Sequence, residues 1–307
     1  MDFELKESQS VVMDAVLSMV EPFRALPPGA CGYFEPSPEL DAQLAENGFF
    51  QIASFEGCGP LDAALLVYEL ARLPVLIEAS ATMFVAPQLG LADLPRPIAL
   101  ADDRHGSIRN LPGARSLILV EDGEARIASL DGVEIATNTS VLAYPYGRLV
   151  SPAALETRGL GAASGEQLAL WWRVAIAVEA AGLMQAALDA TVDYVTQRQQ
   201  FGKPLGAFQA IKHRLASSAQ LVSGTRWLAL RAAESGDTGE AALAALYAQD
   251  NMRTVLNDLH QFTGAIGLTL EYPLHLWTYR LKALQGEFGG VRAQGEAASA
   301  ACFGAPA

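Results

Sequence analysis

The chain has 307 residues, of which 51% are hydrophobic and 18% charged, with a formal net charge of −13 and a sequence pI of about 4.7. This apolar content allows a large core and excludes global disorder. The acidic balance argues against nucleic acid or an anionic membrane as the main partner, so any anionic ligand would need a local basic spot.

Residues 1 to 92 read as an N-terminal helical domain. Phe3, Val11, Val12, Ala15, Val16 and Met19 recur at helical spacing, and helical patterns resume at Glu39 to Gly48, Pro60 to Leu73 and residues 81 to 92. Pro27-Pro28-Gly29 and Pro36-Ser37-Pro38 mark loops. Residues 1 to 10 are polar and acidic, which predicts no signal peptide. Cys31, Cys58 and Cys302 lack metal-ligand spacing, and their odd number suits a reducing, cytoplasmic setting.

Residues 93 to 158 change character and predict a small β domain. Leu117 to Val120 is a compact strand pattern, Asp122-Gly123 and Asp131-Gly132 are hairpin-type turns, and residues 141 to 146 (VLAYPY) and the stretch RLVSP suggest further short strands. Gly159, Gly161 and Gly165 do not have the spacing of a dinucleotide loop, and no βαβ unit surrounds them. They form a linker.

From residue 159 to the end the chain reads as a helical bundle. A first helix over about 166 to 198 would run roughly 50 Å. It is apolar on most sides, with Arg173 and Glu179 interrupting the run, which predicts burial in a bundle and not a membrane span. Helices follow over about 207 to 233, 239 to 262, and from Glu271-Tyr272-Pro273 to near Gly286, as an antiparallel bundle of three or four helices. His105, His213, His260 and His275 have no mutual metal spacing, and neither a G-x-S-x-G elbow nor a Walker loop is present.

Between the first two long helices lies YVTQRQQFGKPLGAFQ, residues 194 to 209. One fixed cation, Arg198, stands at a helix end beside amides and free backbone N–H groups, a pattern that can seat a pyrophosphate or form an ordinary solvated turn. This segment, with its R-x-Q-F-G-x-P-L-x-x-F-Q core, resembles the acyl-CoA dehydrogenase family. Gln261-Phe262-Thr263-Gly264-Ala265-Ile266-Gly267 followed by Glu271-Tyr272-Pro273 is similar to that family's Q-x-x-G-G-x-G…E-Y-P stretch. The resemblance implies a mainly α fold with a small β middle domain and a C-terminal four-helix bundle. It also implies FAD, an acyl-CoA substrate, and an electron-transfer flavoprotein or similar acceptor. Carried over residue by residue, it implies that Arg198, Gln200, Phe201, Gln209, Gln261, Gly264 and Ala265 hold the ADP part of a flavin whose ring lies in the neighbouring subunit. Ala265 replaces the family's usual second glycine.

The catalytic half of the pattern breaks. The family's base is a glutamate, either after the E-Y-P helix or just before a recurrent Arg on the first C-terminal helix. The matching positions here are Phe288 and Trp172, and neither can accept a proton. A one-residue slip would bring Glu287 to the first position. Arg173 matches the recurrent Arg, as a substrate-side residue or as half of a helix-packing ion pair. The T-E-P-x-x-G-S-D-like run that clasps the isoalloxazine ring is absent between residues 80 and 150. The resemblance therefore implies a subunit without a catalytic residue of its own, completing the FAD site of a full-length homologue in an α2β2 enzyme like those of steroid side-chain breakdown. A self-sufficient dehydrogenase using Glu287, and a scaffold that has lost flavin, are the alternatives.

Overall fold

The computed structural model describes residues 7–26 and 32–304; Phe3, the Pro27-Pro28-Gly29 loop and Cys31 lie outside the described residues. The fold is mainly helical with a small β layer in its middle. The first part holds α1 (Glu7–Val20), β1 (Glu35–Pro36), α2 (Pro38–Glu46), α3 (Pro60–Ala71) and β2 (Val75–Leu76), then a π-helical turn, Ser80–Val85, that runs into α4 (Ala86–Gln88). Proline at the first helical position starts both α2 and α3. Ser37 caps α2 by accepting from the Leu40 N–H at 3.4 Å, and Asp62 reaches back to the Gly59 N–H at 2.8 Å.

The β layer consists of β3 (Ile98–Ala101), β4 (Ile108–Arg109), β5 (Ser116–Glu121), β6 (Glu124–Ser129), β7 (Ile135–Asn138), β8 (Tyr146–Leu149) and β9 (Arg158–Gly159). They form two sheets, ordered β3-β5-β6-β9 and β4-β8-β7, and only β3 and β5 pair in parallel. The first sheet is covered on both faces, and the period of two along β3 and β5 shows how. Ile98, Leu100 and Ile118 pack into the core shared with the helices, whereas Ala99, Ala101, Leu117 and Leu119 pack between the sheets with Ile108 and Leu149.

Asp122-Gly123 is the turn between β5 and β6, with both residues at positive φ, as a two-residue hairpin requires. Asp131-Gly132 is not a hairpin turn, because the chain passes there from one sheet to the other. The strand expected over 141 to 146 is also corrected. Residues 141 to 144 are bends, with Ala143 at φ +57°, and pairing begins only at Tyr146. A buried Tyr144 in this irregular stretch points inward for a polar contact described below.

The remainder is α5 (Ser164–Gln197), a two-residue hairpin of β10 (Gln199–Gln200) and β11 (Lys203–Pro204), α6 (Gln209–Ser235), α7 (Thr238–Thr263), α8 (Leu274–Gly286) and α9 (Gly290–Phe303). By length and composition α5 could cross a membrane, but 78% of its most apolar window is buried within the fold, as in a core helix. It packs on α3 at Gly182, where an added Cβ would come within 2.8 Å of the Ala71 Cβ and nearer still to the Tyr68 carbonyl. Glycine there lets two backbones touch. The stop expected at residues 234 to 237 is a left-handed Gly236 followed by Asp237, whose carboxylate accepts from the Glu240 N–H at 2.8 Å. The last helix, α9, was not anticipated. Phe288, Gly289 and Gly290, all at positive φ, break the chain after α8, and an alanine-rich helix then resumes.

Candidate functional site

Two places in the fold carry chemistry. The first is one end of the bundle. α5, α6 and α7 run up, down and up, so the C-termini of α5 and α7 share an end with the start of α6. Cross-contacts fix this. Arg214 of α6 pairs with Asp258 of α7 and lies over the Phe262 ring at 5.0 Å, and the Tyr272 hydroxyl donates to the Ala190 carbonyl of α5 at 2.6 Å.

All seven residues carried over from the resemblance lie at this end and all are exposed. Arg198 caps α5. Its backbone N–H donates to the Tyr194 carbonyl and its carbonyl accepts from the Leu205 N–H, both at 2.9 Å, while its guanidinium has no partner among the described residues. Gln200 pairs with Lys203 across the hairpin, whose two turn residues are Phe201 (φ +54°) and Gly202 (φ +78°). A phenylalanine in this left-handed position costs about 1–2 kcal/mol, and its side chain is 89% exposed. Packing does not account for that cost. Phe208, edge-on to Phe201 at 6.1 Å and capped by the Lys203 ammonium at 4.2 Å, stiffens the hairpin. Gln209 opens α6 and touches His213 at 3.2 Å. Gln261 is in the last turn of α7, and Gly264 follows at φ +63°, ψ −145°, a conformation suited to glycine, with open space where a Cβ would be. Ala265 is next to it, also facing outward.

The second place lies where the β layer meets the bundle. Trp172 of α5 and Phe288 of the α8–α9 turn, 116 residues apart in sequence, stack at 4.6 Å with 26° between their planes. They line a cavity of about 300 Å³ together with Leu100, Arg109, Tyr146 and Glu287. Its inner wall is a buried polar cluster. Arg109 on β4 reaches Glu179 of α5 through Nη1 (3.1 Å to Oε1) and Glu287 of the turn through Nε (2.9 Å to Oε2) and Nη2 (3.0 Å to Oε1). The three side chains are only 11–12% exposed. Trp172 Nε1 donates to Glu287 at 2.9 Å, Ser80 Oγ donates to Glu179 at 2.7 Å, and the Tyr144 hydroxyl donates to Glu179 as well.

Burial pulls the Glu179 carboxyl upward in pKa, but the Arg109 charge and the hydroxyls of Tyr144 and Ser80 outweigh it and hold the group below the usual carboxylate range. Burial likewise pulls Arg109 down, and its two carboxylate neighbours hold it well above the ordinary value. Burial pushes the Tyr146 phenol up to about 12. Gln249 fixes the turn below by donating to the carbonyls of Leu284 (2.7 Å) and Glu287 (2.9 Å). Arg173 makes no ion pair among the described residues. It donates to Gln294 at 2.8 Å and lies over the Phe288 ring at 5.2 Å.

Sequence reasoning missed Arg109, Ser80 and Tyr144. The available signal was Glu179, an acidic residue in an otherwise apolar helix, which must find a cation or donors when buried.

A family model described as acyl-CoA dehydrogenase, C-terminal domain, matches residues 158–291. Acyl-CoA dehydrogenase FadE34 of Mycobacterium tuberculosis is 31% identical over 285 residues, covering 81% of this chain and 40% of that protein. Residues 158–291 thus match the acyl-CoA dehydrogenase C-terminal domain, and the similarity to acyl-CoA dehydrogenases extends over most of the chain. It spans about two fifths of the length of this relative. Among solved acyl-CoA dehydrogenase folds, the Tcur3481-Tcur3483 steroid ACAD G363A variant superposes with a TM-score of 0.80 at 21% identity, covering 96% of this chain and 98% of that one. The ChsE4-ChsE5 complex from Mycobacterium tuberculosis gives 0.78 at 17% identity over the whole of both chains. At these identities the two structures establish the acyl-CoA dehydrogenase fold.

Proposed function

We propose that this chain is a subunit of an FAD-dependent acyl-CoA dehydrogenase that supplies no base of its own and completes the flavin site of a longer homologue, as α2β2. The observation that carries this reading is the pairing of Trp172 with Phe288. The two positions that match the family's alternative base sites come together in space, so the resemblance is consistent in three dimensions, and both hold aromatic rings.

Glu287, the residue a one-residue slip would recruit, accepts from Trp172 and from two nitrogens of Arg109. A general base needs a free lone pair directed at the substrate, and Glu287 has three of its bonding directions engaged. This favours a supporting subunit over a self-sufficient one.

The residues at the bundle end suit the ADP part of FAD. Arg198 offers paired donors and a permanent charge to the pyrophosphate, Gln200, Gln209 and Gln261 offer directional amides, Phe201 offers a ring face to a base, and Gly264 with Ala265 leaves backbone open to close approach. When bound, the cofactor supplies hydride acceptance, and this chain's part is to hold and orient its tail. The substrate class we propose is a bulky acyl-CoA such as a steroid side-chain thioester, in line with the steroid enzyme among the similar folds. An electron-transfer flavoprotein is the proposed acceptor and the cytoplasm the proposed location. Coexpression with a longer homologue that carries the glutamate is expected to give a yellow complex that oxidises an acyl-CoA. A chain that stays unassociated and colourless beside every such homologue contradicts the proposal.

A further inference from the structure

The cleft between this chain's own β layer and bundle is crossed by one buried cation, Arg109. We infer that Arg109 closes the cleft, so that a complex containing this chain carries flavin in the partner's cleft and not in this one. Arg109 joins three separate pieces of the fold. It leaves the β layer at β4, pairs with Glu179 in the middle of α5, and pairs with Glu287 in the turn that links α8 to α9. Its guanidinium also lies 4.6 Å from the centre of the Tyr144 ring, so one face of the cation is covered as well as its edges.

A ring entering between the layers would have to displace this cation. The displaced state leaves Glu287 buried without its counter-charge and Glu179 with only the field of Arg280, and an uncharged aromatic ring provides no replacement. The space remaining beside Arg109, about 300 Å³, is at the small end for a ligand site, and the Trp172–Phe288 stack takes up one of its walls. Arg109 thus acts as a specificity residue. It fixes which of two related clefts receives the cofactor, and it holds the layers together without one.

The inference rests on the family reading only for naming the ring. Its test therefore uses riboflavin, which carries the ring without the ADP tail, so that its failure leaves the tail-holding reading standing. The full chain is compared with an Arg109→Ser, Glu287→Gln variant, which removes the cation together with one of the charges it neutralises. The wild-type chain is expected to leave riboflavin fluorescence unchanged. The variant is expected to quench it and to exchange backbone hydrogens faster over residues 98–109 and 283–290. Arg109→Gln, which keeps hydrogen bonding and loses charge, is the second variant should the first fail to fold, and it is expected to change both readouts in the same direction. Quenching by the wild-type chain, or a folded variant that excludes riboflavin as the wild type does, overturns the assignment.

Discussion

Replacing Arg109 with methionine is expected to lower the free energy of unfolding by about 3–5 kcal/mol, the range for breaking a buried ion pair from one side. Methionine fills similar space, so the loss would come from charge and not from a cavity. Two carboxylates, each about nine-tenths buried, would lose the cation that bridges them. Glu179 would keep the hydroxyls of Ser80 and Tyr144 and the field of Arg280, which lies close enough to interact with it electrostatically. Glu287 would keep only the Trp172 N–H. The loss should therefore fall mainly on the α8–α9 turn. Adding Glu179→Gln and Glu287→Gln to the methionine variant makes the cluster neutral and should recover most of the stability, because a buried pair replaced as a whole costs far less than one broken in half. Urea unfolding of the three proteins measures this. A methionine variant within 1 kcal/mol of wild type would show that the cluster is solvated and weak.

Arg198→Ala is expected to weaken FAD binding in the assembled complex by roughly 10- to 150-fold, the equivalent of about 1.5–3 kcal/mol for hydrogen bonds to a charged group. The fold should be untouched, since the guanidinium is exposed and has no partner among the described residues. Arg198→Lys keeps the charge and loses the paired donors, and should recover only part of the affinity. Titration of FAD into the stripped complex gives the numbers. An alanine variant with wild-type affinity removes Arg198 from the site.

These two residues also mark what could be read from the chain. The turn that carries Arg198 was legible because its neighbours in sequence are its neighbours in space. A helix end, two turn residues and the next helix start lie within a dozen positions. The same holds for α5, whose all-round apolar composition required burial, and for Asp122-Gly123, whose turn chemistry is local. Arg109 was not legible, because its partners lie 70 and 178 residues away, and an isolated arginine after a short strand looks like any surface cation. The bends at 141 to 144 read as part of a strand because Val141, Tyr144 and Tyr146 are β-branched or aromatic types that strands favour. There the chain breaks pairing, and Tyr144 bonds to Glu179. The helix α9 was hidden by the glycines before it. They read as an ending, but here they form a turn of positive φ values. The Phe201 hairpin was hidden for the opposite reason. A phenylalanine is an improbable first residue of a two-residue turn, yet it stands there at φ +54° and 89% exposed.

The most direct test of the account is the ratio of flavin to polypeptide in a complex purified from cells that make this chain together with its longer homologue. The account predicts one FAD for each pair of unlike chains, reduced by an acyl-CoA and lost when Arg198 is replaced. Two flavins per pair, with one seated in this chain's own cleft beside Arg109, would contradict it.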